Sequence, residues 1–386
     1  MFRKKSALVF VLLVIAVMTM SVVAHADNFD DWMKAARLGP YAPEEEDWDA
    51  IYEAAKKEGK VVIYSSTSRI FDSTQNFEKA YPGITVEAYN ISGTECLEKI
   101  EREADSGIHN ADLLMSSIFS TNATDLLKRR IIVNYVPPEM KPLIPEKFRE
   151  PVLAHRFGTV VLAYSDIAYD KPPIQSIWEL TKPEWKNGLI LRDPLRSEGS
   201  LMWLAMFVRN ADEVAADYEK VFGEPIKLTT PNAGYELIKR LLDNGLKLES
   251  GSRGVLDGVT QHNLKRPPIG ETTSSKYRDV LAGNYQFEIL WDLTPAAGYA
   301  YEDALVVAGY APHPNAAKLL VNWLMGGGDE NKLGFEPWNV PGNFPVRTDM
   351  ETPAPFKPIT EYNYWYGDEE AYELVPDIMD FWLTHI

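Results

Sequence analysis

The stretch Lys60-Val61-Val62-Ile63-Tyr64-Ser65-Ser66-Thr67-Ser68 decides the fold. Val61 to Tyr64 is a short continuous run of strand-forming apolar residues, and it breaks at once into hydroxyl side chains. Upstream, Trp48, Ile51, Tyr52 and Ala55 recur at helical spacing, and Gly59 supplies a stop. Downstream, a helix carrying Phe77 and Ala80 ends at Pro82-Gly83, and Ile84 to Tyr89 reads as the next strand. The grammar then repeats. Ser92-Gly93-Thr94 opens a helix bearing Leu97, Ile100 and Ala104, and Asp112 to Met115 is a strand that ends in Ser116-Ser117. Strands alternating with helices imply an α/β fold with a mixed, mostly parallel sheet and helices on both faces.

Further along, Phe157 to Tyr164 is a long apolar strand, followed by a turn at Pro172-Pro173 and a second set of α/β elements. Gly188 to Leu191 runs into Arg192-Asp193-Pro194, and a helix starting near Ser197 or Ser200 carries Leu204, Phe207 and Val208. Leu237, Ile238, Leu241 and Leu242 mark a helix closed by Gly245. Phe287 to Trp291 and Ala304 to Ala308 read as strands, and Ala316, Leu319, Leu320, Trp323 and Leu324 form a helix stripe. The tail from about Trp338 is rich in proline and aromatics, with Tyr362, Tyr364, Trp365 and Tyr366 close together. Residues 27–47 are acidic and contain Pro40 and Pro43, which places them at the surface. No repeat of solenoid length is present.

The chain begins with an address. Arg3, Lys4 and Lys5 precede an apolar run from Ala7 to Val23, and Ala24-His25-Ala26 offers a signal peptidase its small residues. Residues 1–26 therefore read as a signal peptide cleaved before Asp27, which implies export to the periplasm. Removing three cations and no carboxylate moves the formal charge from −17 to −20. A surface so acidic repels nucleic acid and anionic lipid, so membrane contact would come only through a protein partner. The single cysteine, Cys96, excludes an internal disulfide and cysteine zinc sites. Roughly 360 residues remain, which at about 100–200 per domain makes two lobes.

Enzyme signatures are absent: no glycine-rich phosphate loop, no nucleophile elbow, no paired-histidine zinc motif. Ser252, Asp257 and His262 can be assembled into a triad on paper, as chance triples can in any chain of this size. What recurs is hydroxyl and glycine residues where strands meet helices: Ser65, Ser66 and Thr67; Ser92, Gly93 and Thr94; Ser116 and Ser117; Ser197 and Ser200. Ligands of open α/β sheets bind beyond the carboxyl ends of strands, where helix N-termini present free N–H groups to phosphate or carboxylate oxygens. Each junction is also an ordinary helix cap. Two junctions are more pointed. Arg192-Asp193 follows a buried-looking strand, where Arg192 either forks onto an anion or pairs with Asp193. Asp292 follows Leu290-Trp291 and could accept from ligand hydroxyls or bind a cation; Ser274, Ser275 and Lys276 offer further donors. This pattern suits capture of a small polar ligand without a cofactor.

Several segments, in this order, are similar to one family. They are Ala54-Ala55-Lys56-Lys57-Glu58-Gly59-Lys60-Val61-Val62-Ile63-Tyr64-Ser65-Ser66, Phe77-Glu78-Lys79-Ala80-Tyr81-Pro82-Gly83-Ile84, Ala111-Asp112-Leu113-Leu114 and Trp185-Lys186-Asn187-Gly188. Ala311-Pro312-His313-Pro314-Asn315-Ala316-Ala317-Lys318-Leu319-Leu320 and Phe344-Pro345-Val346-Arg347 complete them. The chain resembles the type II periplasmic binding proteins, in particular the extracellular solute-binding proteins of iron(III) type. The resemblance implies two α/β lobes hinged by two crossing strands, near Thr159–Tyr164 and Ala304–Ala308. The first lobe is then discontinuous, residues 27–158 plus 304–386, and the second is 159–303. It further implies a monomer that holds its solute in the interlobe cleft and delivers it to a membrane permease with an ATPase partner. Ferric binders of this family share a tyrosine pair late in the second lobe. The matching stretch here reads Leu290-Trp291-Asp292-Leu293-Thr294-Pro295, so an iron site would need Asp292 with Tyr299 or Tyr301. The hydroxyl junctions and Arg192 favour instead an oxyanion-bearing organic solute such as a sugar phosphate or phosphonate. A ligand sensor for a signalling receptor, or a hydrolase using the same cleft, are the alternatives from other classes.

Overall fold

The computed structural model describes residues 28–386; the expected signal peptide and its cleavage point lie outside them. In chain order, α1 (28–36), α2 (Trp48–Glu58), β1 (Lys60–Ser65), α3 (Ile70–Ala80), β2 (Thr85–Asn90), α4 (Gly93–Asp105) and β3 (Leu113–Ser116) build the first half. Local chemistry sets their ends. Asp47 caps α2, Gly59 closes it at φ 77°, and Ser92 with Glu95 forms a reciprocal capping box on α4. The short α5 (Ser117–Thr121), α6 (Ala123–Lys128) and β4 (Ile132–Val133) lead to β5 (Ala154–Tyr164).

The second half contains β6 (Leu189–Arg192), α7 (Glu198–Arg209), α8 (Ala211–Phe222), α9 (Ala233–Asp243), β7 (Lys247–Glu249), α10 (Ser252–Val259), β8 (Ile269–Thr273), α11 (Tyr277–Leu281) and β9 (Glu288–Ile289). The chain then returns through β10 (Gly298–Ala308) and α12 (Pro314–Leu324), and ends with β11 (Phe344–Pro345), β12 (Tyr364–Tyr366), α13 (Glu369–Glu373) and α14 (Val375–His385). Among the described residues no helix is long and apolar enough to cross a membrane.

One mixed sheet runs through the molecule in the order β2-β1-β3-β10-β5-β8-β6-β7. β2, β1 and β3 are mutually parallel, as are β8, β6 and β7, while β10 and β5 are antiparallel to β3 and β8 and to each other. The two crossing strands expected near Thr159 and Ala304 are thus parts of two eleven-residue strands. Their pairing demands glycine at Gly298: at φ 157° a β-carbon there would meet the Val160 carbonyl oxygen at 2.1 Å.

One expectation needs correction. The N-terminal segment does not merely lie on the surface. Phe29, Ala36 and Leu38 are buried in the first-half core, and the side chain of Glu46, fully enclosed, pairs with buried Lys318 of α12 at 2.8 Å. Tyr135 also donates to Glu46, at 3.2 Å. Burial lowers the Lys318 pKa, with Glu46 opposing it. The apolar residues of the segment need a core, and Lys318 needs a counter-ion. The last two helices pack on the second half. Trp365, Ala371, Ile378 and Trp382 pack into the apolar cluster of Trp178, Trp203 and Phe207, because α13 and α14 cover α7.

Removing one partner of the Glu46–Lys318 pair strands a buried charge. Glu46→Ala is expected to cost about 3–5 kcal/mol, read from chemical denaturation, and a Glu46→Leu, Lys318→Met double variant should recover most of it.

Candidate functional site

Residues just past the carboxyl ends of β1, β3, β6 and β8 meet around one cavity of about 200 Å³, where open α/β sheets hold ligands. Ser66, Thr67 and Ser117 reach it from the first half. Arg192, Glu198, Gly199 and Thr273 reach it from the second. The floor comes from the paired strands: Arg156 and Val160 of β5, and Tyr299, Tyr301 and Asp303 of β10, whose odd-numbered positions share one face. A larger hollow of about 1020 Å³ lies between α7, α9 and α14, away from the strand ends and walled by that side alone.

Both arginines are held by buried carboxylates. Arg192 directs Nε at the two oxygens of Glu271, at 3.0 and 3.1 Å, and Nη2 at Oε1 as well. Glu271 is fully buried and also accepts from the Ser200 hydroxyl at 2.7 Å. Burial works against the Arg192 charge, yet Glu271 outweighs it and raises the pKa. Nη1 has no partner among the described residues and stays available to the cavity. Arg156 pairs through Nη2 with Asp303 and donates from Nη1 to Asn343 at 3.2 Å.

The remaining polar groups are less committed. Burial first, then Tyr301, raises the Tyr299 phenol well above its usual value; burial also raises Tyr301, against the pull of Arg156. The Tyr301 ring lies over Gly158, where a β-carbon would stand 2.3 Å from Cζ. Glu198, at the first position of α7, has no hydrogen-bond or ion partner among the described residues. Its Oε2 sits 3.4 Å from where a β-carbon on Gly93 would be, so it reaches across to the first half. Burial, and then the Asp303 carboxylate, raise its pKa.

Of the sequence candidates, Ser66, Thr67, Ser117, Arg192, Tyr299 and Tyr301 line the cavity. The others are placed differently. Ser65 is buried and accepts from the Thr67 amide at 3.3 Å, shaping the turn. Ser92 caps α4, and Thr94 is exposed. Gly93 packs against Ser116, whose buried hydroxyl has no partner among the described residues. Asp193 accepts from the Leu195 amide at 3.0 Å, so Arg192 pairs with Glu271 and not with its neighbour. Ser197 caps α7, and the Ser275 hydroxyl lies 3.2 Å from that of Thr273. Asp292 is exposed outside the cavity, in the loop beyond the two-residue β9, which removes it from the iron set with Tyr299 and Tyr301. Arg156, Glu198, Gly199, Thr273 and Asp303 were not anticipated. A charged residue inside an otherwise apolar strand was the available signal for Arg156.

No family model matches the chain, and no curated protein does. Solved structures do. Iron-bound HitA from Pseudomonas aeruginosa is 16% identical with a TM-score of 0.63, over 83% of this chain and 99% of that one. AfuA from Actinobacillus pleuropneumoniae, a periplasmic binding protein with fructose-6-phosphate bound, is 17% identical with a TM-score of 0.62, over 85% and 98%. The spermidine/putrescine transporter's substrate-binding protein PotD from Streptococcus pneumoniae is 15% identical with a TM-score of 0.57, over 85% and 99%. This chain has the fold of those binding proteins: a curled mixed sheet in two α/β halves with the cavity between them.

Proposed function

We propose that the chain is the periplasmic solute-binding component of an ABC importer, capturing a compact, oxyanion-bearing solute and handing it to a permease with its ATPase. The observation that carries this reading is the cavity, to which both halves and both crossing strands contribute polar side chains. A ligand that touches both halves favours the closed arrangement over the open one, which is the output a permease reads. Arg192 is the anion anchor: Glu271 and Ser200 fix its plane, it lines the cavity, and Nη1 is the nitrogen left to meet a ligand. Ser66, Thr67, Ser117 and Thr273 supply donors for further oxygens. At about 200 Å³ the space lies below the ~300–1,000 Å³ of drug-sized pockets, which suits a small phosphate or phosphonate ester. Among the described residues, no hydrogen bond links a lining hydroxyl to a histidine or carboxylate that lines the cavity, and the reading is of capture without turnover.

A second reading, ferric ion as cargo, is favoured by one observation: Tyr299 and Tyr301 both face the cavity beside Glu198 and Asp303. Phenolate and carboxylate are hard oxygen ligands, and a trivalent cation would offset the burial that now keeps both phenols protonated.

Thermal-shift screening of purified protein should find a stabilising sugar phosphate or phosphonate, by about 2.7 kcal/mol at a hundredfold excess over Kd. If no small solute stabilises the fold, the transport reading fails. Arg192→Ala should weaken that ligand by about 1.5–3 kcal/mol in calorimetry, the worth of a hydrogen bond to a charged group; unchanged affinity takes Arg192 out of the site. Ferric loading should instead produce a visible phenolate band that fades in Tyr299→Phe or Tyr301→Phe.

A further inference from the structure

The arginine pairings leave the cavity with one charge unaccounted for. Arg192 with Glu271 and Arg156 with Asp303 are each neutral as pairs. Among the described residues, Glu198 is the carboxylate lining the cavity without an arginine of its own, and the charge that acts on it is another carboxylate, Asp303. An organic monoanion seated on Arg192 Nη1 would place a second uncompensated negative charge in the same enclosed space, which is costly away from water. A ligand that carries its own cation adds no net charge to the cavity and gives the Glu198 carboxylate a partner.

We infer that Glu198 selects the solute, and that the solute is zwitterionic: its oxyanion meets Arg192 and the hydroxyls of Ser66 and Ser117, and an ammonium group meets the Glu198 carboxylate. This rests on the oxyanion reading above and adds the second charge. Geometry supports the assignment. Glu198 and Arg192 enter the cavity from elements next to each other in the chain, the start of α7 and the end of β6, and Gly199, next to Glu198, packs so closely that its β-carbon position is 3.3 Å from Arg192 Nη2. A ligand bridging the two residues therefore lies along one wall. Because Glu198 also faces Gly93 of the opposite half, an ammonium bound there is covered from the first half, so the recognition is coupled to closure.

Matched ligand pairs test this. Phosphoethanolamine and ethyl phosphate differ only in the amine, as do glucosamine 6-phosphate and glucose 6-phosphate. Calorimetry on the full mature chain should show the amine-bearing member of at least one pair binding ten-fold or more tightly, and Glu198→Gln should bring that ratio close to one. Gln keeps the shape and removes the unpaired charge, so the variant should fold with an unchanged or higher Tm, which is measured alongside. Equal binding within each pair, or a preference that survives Glu198→Gln, overturns the zwitterion inference and leaves the oxyanion site standing. If none of the four binds, the oxyanion reading goes, and this inference with it.

Discussion

Eleven residues of β5 pair antiparallel with eleven of β10 across the middle of the sheet, and every residue of β5 is buried. Each set of three parallel strands ends on one of these two: β3 lies against β10, and β8 against β5. The halves are therefore joined through a continuous hydrogen-bonded ladder, and the strand ends that carry cavity-lining groups are brought to the same place. Arg156, Tyr299, Tyr301 and Asp303 form the cavity floor because they stand on that ladder with their side chains on one face.

Burying so much charge around the cavity has a physical logic. A free arginine in an enclosed cavity would bend towards any oxygen. One gripped by Glu271 through two nitrogens, with Ser200 completing the carboxylate, keeps its plane. The pair costs desolvation and returns orientation, so the guanidinium is held in a fixed plane at the cavity wall. Glu198 is the counterpart: a carboxylate left unsatisfied by the protein, whose raised pKa reflects burial and the proximity of Asp303.

Much of the architecture was legible because it is local. Val61 to Tyr64 reads as a strand from its own composition, Ser92 and Glu95 announce a helix start, and Gly59 a helix stop. The hydroxyl junctions at Ser66, Thr67 and Ser117 were readable for the same reason. What escaped reading depends on distant partners. Arg192 looked free or paired to Asp193, since nothing in the sequence places Glu271 opposite it across β6 and β8. Asp292 looked like the end of a strand, but β9 is two residues long and the chain has left the sheet by then. The acid and proline content of residues 27–47 hid Phe29 and Leu38, and the partnership of Glu46 with Lys318 spans 272 positions. Charged residues inside apolar strands, Arg156 and Glu271, were visible but carried no hint of direction.

The strand order has a consequence for how the polypeptide matures. The sheet of the second half, β7-β6-β8-β5, uses residues 154 to 273 and can close on itself once β8 has emerged. The first half cannot: β3 finds its outer neighbour only in β10, and α2 packs on α12, so its layers wait for residues up to 324. The earliest-made segment is thus the last to be completed, held open by loop-closure entropy until the return strand arrives. Amino-terminal fragments that stop short of residue 298 keep an unpaired β3 edge.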